Sequence, residues 1–168
     1  MTPLERFALE VLSARDSRQD ALAQALSAGY PATLFVSLNI PGQEKTPPGA
    51  EAFFLWMSDR VDSVFPDSQE LLSACDVLGP YVLLGLKIAP IAAKQRCIEL
   101  ETAHPSSRLI DLDVYSAEGG QVDRASLGLA ARPCLVCDQR AVDCIRAKRH
   151  SFDEVIGKAH ELLAPFRT

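Results

Sequence analysis

Two aspartates separated by one residue, Asp111 and Asp113, lie in the apolar run RLIDLDVYS. Side chains alternate between the two faces of a strand, so both carboxylates should project from one face while the apolar residues between them enter the core. Carboxylates about 7 Å apart along a strand can hold one or two Mg²⁺ ions, which neutralise phosphate charge as a pyrophosphate leaves. The alternative is a solvated strand face on which the aspartates pair with Arg108.

A histidine and an arginine lie close to this strand in the sequence. His104 and Pro105 end the preceding helix, and Arg108 begins the strand. Arginine can bind a phosphate through two parallel hydrogen bonds. His104 is a candidate general base for an incoming hydroxyl, although a histidine that interacts with a helix dipole would stand in the same place. Carboxylates beside cations favour phosphoryl or nucleotidyl transfer.

A second group of chemically active side chains follows, at Cys134, Cys137, Cys144 and His150. Cysteine and histidine are the ligands of structural zinc, and Cys-x₂-Cys is the spacing of a zinc knuckle. On an unbroken helix Cys144 and His150 would lie about 120° apart, too far for one metal ion. The capping box formed by Ser151 and Glu154 indicates that the helix ends near Lys148, which would allow His150 to return to the group.

The same segment has a second interpretation, in which Arg146, Arg149 and His150 share one helix face and bind phosphates. Cys144 would then be a small apolar side chain in the core. A nucleophilic cysteine is the least favoured hypothesis, because the sequence shows no Cys–His pair that could activate it. The residues alone leave the zinc site and the phosphate-binding face as open alternatives.

Composition restricts the class of protein. The 168 residues are 48% hydrophobic and 23% charged, which is typical of one globular domain over residues 1–168. A net charge of −5 argues against nucleic acid as a partner. Between residues 124 and 150, however, six cations accompany two anions, which favours a small polyanion as ligand. No apolar run is long enough to span a bilayer, and the charged residues Glu5, Arg6 and Glu10 exclude a secretory signal at the start. We therefore expect a cytoplasmic protein without a membrane partner.

Apolar periodicity and turn residues predict the secondary structure. The predicted helices cover 4–16, 17–27, 50–64, 90–101, 139–148 and 152–163, and the predicted strands cover 32–40, 71–78, 81–89 and 108–116. Helices and strands that do not alternate strictly indicate the α+β class. We therefore expect a single domain in which a mixed β-sheet packs against helices, with a helical C-terminal segment.

Two long blocks, IELETAHPSSRLIDLDV and RASLGLAARPCLVCDQRAVDCIRAKRHS, closely resemble the holo-citrate lyase synthase family, the apo-citrate lyase phosphoribosyl-dephospho-CoA transferases. LSARDSRQ is similar to the family's arginine-rich opening and VSLNIPG to its first strand and turn, so the resemblance extends over the whole chain. It implies a nucleotidyltransferase-like enzyme. A serine hydroxyl of the apo acyl-carrier (γ) subunit of citrate lyase would attack the α-phosphorus of 2′-(5″-triphosphoribosyl)-3′-dephospho-CoA. This attaches the prosthetic group and releases pyrophosphate.

The resemblance also implies roles for residues of this chain. Asp111 and Asp113 would hold Mg²⁺, and structural Zn²⁺ at the cysteine block is a further possibility. The expected substrate-binding cations are Arg15, Arg18, Lys94, Arg108, Arg124, Arg132, Arg146 and Arg149. Ser107 stands where the family usually has glycine, so a phosphate that approaches the backbone there would meet a Cβ atom.

Two other functions compete with this transferase. One is a noncatalytic zinc-knuckle protein that binds the acyl-carrier subunit and helps to assemble the lyase. The other is hydrolysis of a nucleoside triphosphate, in which water replaces the serine at the same carboxylates. Substitution of the two aspartates should abolish prosthetic-group transfer but should hardly affect an assembly factor. Release of pyrophosphate without the carrier protein would indicate hydrolysis.

Overall fold

A computed structural model describes residues 1–168 and confirms the α+β class. The helices are α1 (Pro3–Leu26), α2 (Ala50–Val64), α3 (Pro90–Thr102), α4 (Ala141–Arg146) and α5 (Phe152–Leu163). The strands are β1 (Ala32–Leu38), β2 (Gln69–Asp76), β3 (Gly79–Leu86), β4 (Ile110–Ser116) and β5 (Gln121–Val122). Short 3₁₀ turns cover Pro105–Leu109, Ala125–Leu127 and Ala164–Phe166.

The five strands form one sheet in the order β2-β3-β1-β4-β5. Every neighbouring pair is antiparallel, so the expectation of a mixed sheet is wrong. The reason lies in the connections. The helical crossovers α2 and α3 each join two parallel strands, but an antiparallel strand lies between the members of each pair. The resulting β-α-β-β-α-β order, β1-α2-β2-β3-α3-β4, is the ferredoxin-like arrangement.

One face of the sheet forms the main core. The β1 residues Leu34 and Val36 and the β4 residues Leu112 and Val114 are fully buried against α2 and α3, together with Phe53 of α2. Along β4 the buried residues alternate with Asp111 and Asp113, as the sequence pattern predicts. Burial of the apolar set therefore holds both aspartates on the opposite face.

Helix α1 covers part of that opposite face. Its Leu22 and Ala25 pack on Leu83 of β3. The two helices expected in this region are one helix, because the inward positions Ala14, Arg18, Leu22 and Ala25 continue at helical spacing without a glycine or proline to interrupt them. The expected start of a second helix at residue 16 or 17 is thus wrong.

The C-terminal region differs from prediction mainly in the length of α4. This helix ends at Arg146 and not near residue 148, and Lys148 follows with a positive φ of 47° that redirects the chain. The capping box of Ser151 and Glu154 is confirmed at the start of α5. None of the helices combines the length and the apolar composition of a membrane span.

Arg18 joins α1 to the β2–β3 turn. Its Nε and Nη2 donate to the two carboxylate oxygens of Asp76 at 2.8 and 2.7 Å, Nη2 also donates to the Gly79 carbonyl at 2.9 Å, and the guanidinium lies 4.4 Å from the centre of the Tyr81 ring. With only 10% of the Arg18 side chain exposed, this ion pair is largely shielded from water.

We expect Arg18→Met to lower the free energy of unfolding by about 3 kcal/mol, because it leaves the Asp76 charge without its partner. Arg15→Met, one turn earlier on the exposed side of α1, is the matched control and should change it by less than ~0.5 kcal/mol. Urea unfolding of both variants measures the difference. Equal effects would show that the Arg18 pair contributes nothing specific.

Candidate active site

Asp111 and Asp113 line a cavity of about 360 Å³ at the β4–β5 edge of the sheet. Polar and charged side chains form most of the wall: Lys94, Glu101, Asp111, Asp113, Gln121, Asp123, Arg124 and Arg132. Three of the cations expected from the sequence, Lys94, Arg124 and Arg132, therefore lie with the two aspartates. The acidic and basic groups come from α3, β4 and the loop after β5.

Asp111 is held in place by two donors. Arg132 Nη1 lies 2.8 Å from its Oδ1, and Asn39 Nδ2 lies 3.3 Å from the same oxygen. Arg132 also donates from Nη2 to the carbonyls of Ile110 at 2.8 Å and Ser107 at 3.2 Å. These bonds fix the guanidinium between the start of β4 and the loop that precedes Cys134.

Asp113 is in a less favourable electrostatic position. Burial, followed by the negative charge of Asp111, raises its pKa to about 6, while the positive charge of Lys94 opposes the rise. Its only side-chain hydrogen bond is from Gln121 Nε2 at 3.0 Å. Two carboxylates on one strand face, one of which ionises reluctantly, form an arrangement that a divalent cation would stabilise.

Lys94 and Glu101 line the cavity from α3, where their separation by two helical turns puts them on one face. Both are buried. Lys94 Nζ donates to the Leu112 carbonyl at 2.8 Å and lies 3.7 Å from Glu101 Oε1. Arg124 Nη2 donates to the other oxygen of Glu101 at 2.9 Å. Glu101 thus orients two cations toward the aspartates.

Arg108 is absent from the wall of the aspartate cavity and lines a second cavity, which it shares with Arg132. It donates to the Pro133 carbonyl. Burial and the nearby charges of Arg132 and Arg124 lower its pKa. The Nε atoms of Arg108 and Arg132 and the hydroxyl of Ser107 are buried without a hydrogen-bond partner. Two neighbouring guanidinium groups, of which only Arg132 has an acidic partner, suit an anionic ligand.

Cys134, Cys137, Cys144 and His150 converge: one ligand atom from each lies within 4.8 Å of every other. Cys137 Sγ is 3.5 Å from Cys144 Sγ and 3.3 Å from His150 Nε2. The Val136 amide donates to Cys134 Sγ at 3.5 Å, and such donors, against the opposing effect of burial, lower the pKa of that thiol. This group could bind a metal ion.

His150 lies with the cysteines, so the structure does not bring the expected phosphate-binding face of Arg146, Arg149 and His150 together. Arg146 is the last residue of α4, and the turn at Lys148 takes Arg149 and His150 off that helix. The side chains of Arg146 and Arg149 are exposed and lie outside both cavities. Their expected role in substrate binding therefore has no support in this geometry.

Three other expected site residues also lie away from the aspartates. His104 packs edge-on against Trp56, with the ring centres 5.1 Å apart, and its Nδ1 accepts a hydrogen bond from the Ser106 amide at 3.1 Å. It caps a 3₁₀ turn and is absent from the cavity wall, so we withdraw it as the general base. Arg18 is occupied by Asp76, and Arg15 is exposed on α1. We withdraw both as phosphate ligands in this cavity.

Comparison with known proteins decides the family. The model of the apo-citrate lyase phosphoribosyl-dephospho-CoA transferase family matches residues 8–166. The chain belongs to this family. The resemblance seen in the two sequence blocks is thus confirmed.

Individual relatives agree. Protein CitXG of Leuconostoc mesenteroides subsp. cremoris is 32% identical over 164 residues, covering 94% of this chain and 35% of the relative. An apo-citrate lyase phosphoribosyl-dephospho-CoA transferase of Citrobacter koseri is 35% identical over 95 residues, covering 56% of this chain and 52% of the relative. Its counterpart in Escherichia coli O1:K1 / APEC matches to the same extent. The chain spans between a third and about half of the length of these relatives.

Four residues at or beside the aspartate cavity were not predicted from the sequence: Asn39, Glu101, Gln121 and Asp123. Asn39 had a detectable signal, since it is the polar residue that ends the apolar run of β1 just before Pro41. β1 pairs with β4 in a register that puts Ser37 opposite Asp111, and Asn39 follows two residues later on the same face. Gln121 and Glu101 carried no comparable signal, because the fold alone brings them to β4.

The raised pKa of Asp113 predicts how stability depends on pH in the absence of metal. A carboxyl whose pKa is higher in the folded state than in the unfolded state stabilises the fold below the unfolded value, and this advantage is lost as the pH rises through about 6. We therefore compare the free energy of unfolding of Asp113→Asn with that of the wild type. Relative to the wild type, the value for the variant should rise by about 1–2 kcal/mol between pH 4 and pH 7. Urea unfolding in buffer without added Mg²⁺ measures the difference.

Asp59→Asn is the control, because Asp59 is an exposed carboxylate on α2 outside the cavity. Its stability difference from the wild type should stay constant over the same pH range. A pH-independent difference for Asp113→Asn would contradict the electrostatic environment described above.

Proposed function

We propose that this chain is a nucleotidyltransferase that attaches the 2′-(5″-phosphoribosyl)-3′-dephospho-CoA group to a serine of the apo acyl-carrier subunit of citrate lyase. The donor is the triphosphorylated form, and pyrophosphate leaves. One observation carries the proposal: in a member of this family, two carboxylates share a cavity with Lys94, Arg124 and Arg132. That combination suits a triphosphate with its metal ion.

Asp111 and Asp113 would hold Mg²⁺. Their oxygens are the hard ligands that this ion prefers, and the raised pKa of Asp113 reflects repulsion and burial that a cation would relieve. When bound, the ion supplies positive charge to the phosphate oxygens. Arg132 would remain beside Asp111, where its contact with that carboxylate places a fixed cation at the edge of the metal site.

The chain's own residues would orient the reactants. Arg132 and Arg124 would bind the departing phosphates, and their bonds to Asp111 and Glu101 hold the guanidinium groups ready before the donor arrives. The serine oxygen bonds to the α-phosphorus as the bond to pyrophosphate breaks. A carboxylate oxygen of Asp113 that is not bound to the ion would accept the hydroxyl proton.

For the Cys134, Cys137, Cys144 and His150 group we propose structural zinc. The contacts of 3.3–3.5 Å from Cys137 to His150 and Cys144 approach the ligand separations around a tetrahedral zinc ion. Among residues 123–150 only Cys144 is buried, so this segment lacks an apolar core of its own. A metal ion would supply the missing stabilisation.

The assembly-factor alternative is less well supported. A noncatalytic protein has no need for two repelling carboxylates, buried cations and unpartnered donors in one place, since each costs folding free energy. Hydrolysis of a nucleoside triphosphate uses the same cavity and differs only in the attacking group, so experiment must separate it from transfer.

Intact-mass spectrometry of the apo carrier subunit, incubated with this protein, Mg²⁺ and the triphosphorylated donor, tests transfer directly. The wild type should add the mass of the prosthetic group. Asp111→Asn and Asp113→Asn should each slow the addition by about 100-fold or more, because each removes a metal ligand. Asp59→Asn should leave it unchanged.

Two results would reject the proposal. One is carrier modification that persists at full rate in both aspartate variants. The other is pyrophosphate release at the same rate without the carrier, which would assign hydrolysis. Circular dichroism of each variant establishes that it folds.

Elemental analysis tests the zinc proposal separately. We expect about one zinc per purified chain, and Cys137→Ser should lose most of it because Cys137 contacts both Cys144 and His150. The variant should also lose several kcal/mol of unfolding free energy, on the order expected for a structural zinc site. Cys75→Ser alters an exposed thiol outside the group and should change neither quantity. Zinc-free protein of unchanged stability would contradict the proposal.

A further inference from the structure

A second and larger cavity, of about 720 Å³, adjoins the aspartate cavity. It lies between the end of β1, helix α4 and the start of α5, with the cysteine–histidine group in its wall. Most small-molecule sites have volumes of about 300–1,000 Å³, so it is large enough for a nucleoside with its substituents. The reaction centre described above does not use it.

The wall of this second cavity is largely apolar. Pro41, Leu135, Ile145, Phe152 and Val155 contribute to it. Ile145 and Phe152 are 75% and 82% exposed, although large apolar side chains normally find cover. Two such residues facing one concave surface provide a place for a flat, weakly polar group, and an aromatic side chain can stack on a base whatever its sequence identity.

One end of the cavity is cationic. Arg108 and Arg132 line it there, and Lys148 lies at another point of the wall. The Nε atoms of both arginines are buried and have no hydrogen-bond partner. An anionic group placed at this end would meet the guanidinium of Arg108, whose hydrogen bond goes to the Pro133 carbonyl and not to an acid.

The cationic end is also where the two cavities meet. Arg132 lines both cavities. Asn39, in the wall of the second cavity, donates to Asp111 in the first, at 3.3 Å. A single ligand with phosphates at this junction can therefore reach the aspartates with one part and the apolar wall with another.

We propose that the second cavity binds the adenosine end of the donor, with the base against Leu135, Ile145 and Phe152 and the neighbouring phosphates at Arg108. This inference rests on the proposed function and names a subsite for its donor. The triphosphate belongs in the aspartate cavity, whose 360 Å³ is too small to hold the rest of the molecule as well. In the donor the triphosphorylated ribose is joined to the adenosine, so the adenine is the nearest flat group to the reacting phosphorus.

The acyl-carrier protein is the competing occupant of the same surface. A surface that binds a protein partner usually has a broad apolar centre surrounded by exposed polar and charged side chains. Here the wall is concave, and its cationic end adjoins the aspartate cavity through Arg132, which lines both. That position favours a small phosphorylated ligand.

Binding of 3′-dephospho-CoA to the protein, measured by isothermal titration calorimetry, tests the subsite. Phe152→Ala and Ile145→Ala should each weaken it by on the order of tenfold, the loss expected when a base loses one stacking or apolar contact. Both side chains are mostly exposed, so neither change removes core packing. Leu55→Ala, which removes a 66% exposed leucine from α2, is the matched control and should not affect binding.

Three comparisons decide between occupants and between parts of the ligand. Binding of inorganic tripolyphosphate with Mg²⁺ should be the same in both variants and the wild type. Adenosine 5′-diphosphate should compete with 3′-dephospho-CoA, whereas 4′-phosphopantetheine should compete only weakly. The apo carrier subunit should bind the variants as it binds the wild type.

The inference is overturned if 3′-dephospho-CoA binds Phe152→Ala and Ile145→Ala with wild-type affinity, if 4′-phosphopantetheine is the better competitor, or if carrier binding alone is weakened. These outcomes are independent of the proposed function. Carrier modification by the wild type together with unaffected 3′-dephospho-CoA binding would reject only the subsite. A tenfold effect on binding without any carrier modification would keep a nucleotide subsite and reject the transferase.

Discussion

The contact between Arg132 and Asp111 links the two parts of the molecule that matter for chemistry. Asp111 lies on a strand whose other face is fully buried, and Arg132 lies two residues before the cysteine group. The 2.8 Å ion pair and two further bonds to backbone carbonyls fasten the cysteine-bearing segment to the edge of the sheet. Bonds to carbonyl oxygens do not depend on the ionisation of Asp111. The segment therefore stays attached even when the carboxylate changes partners.

The aspartate cavity combines features that oppose folding. Asp113 lies near the negative charge of Asp111, and burial makes its ionisation unfavourable. Nearby, burial and the positive charge of Arg132 lower the pKa of Arg108. The Nε atoms of both arginines have no hydrogen-bond partner. The two aspartates thus repel each other, and so do the two arginines. A metal-bound triphosphate has the reverse pattern, cation beside the carboxylates and anion beside the guanidinium groups, so binding would relieve both kinds of repulsion.

Local sequence rules predicted the features that depend on one element at a time. Alternation along β4 placed both aspartates on one face, and the capping box fixed the start of α5. Partners that come from distant elements could not be predicted in this way. Arg18 and Arg132 look alike in the sequence, yet Asp76 binds the first and Asp111 the second. His104 has the side-chain chemistry of a general base. Its packing against Trp56, however, depends on how α2 meets the turn before β4.

The segment from 123 to 150 explains why a site of this kind would need a metal ion away from the reaction centre. It contributes Arg124 and Arg132 to the aspartate cavity, but only Cys144 within it is buried. An apolar core cannot hold such a segment in one conformation, and the short bridge between Pro133 and Arg140 closes only a small loop. Four converging ligand atoms restrict the chain at both ends of α4. The same constraint would shape the wall of the second cavity, since Cys134, Cys144 and His150 line it. Positioning of the arginines and access to the adjoining cavity would then depend on one metal-bound turn.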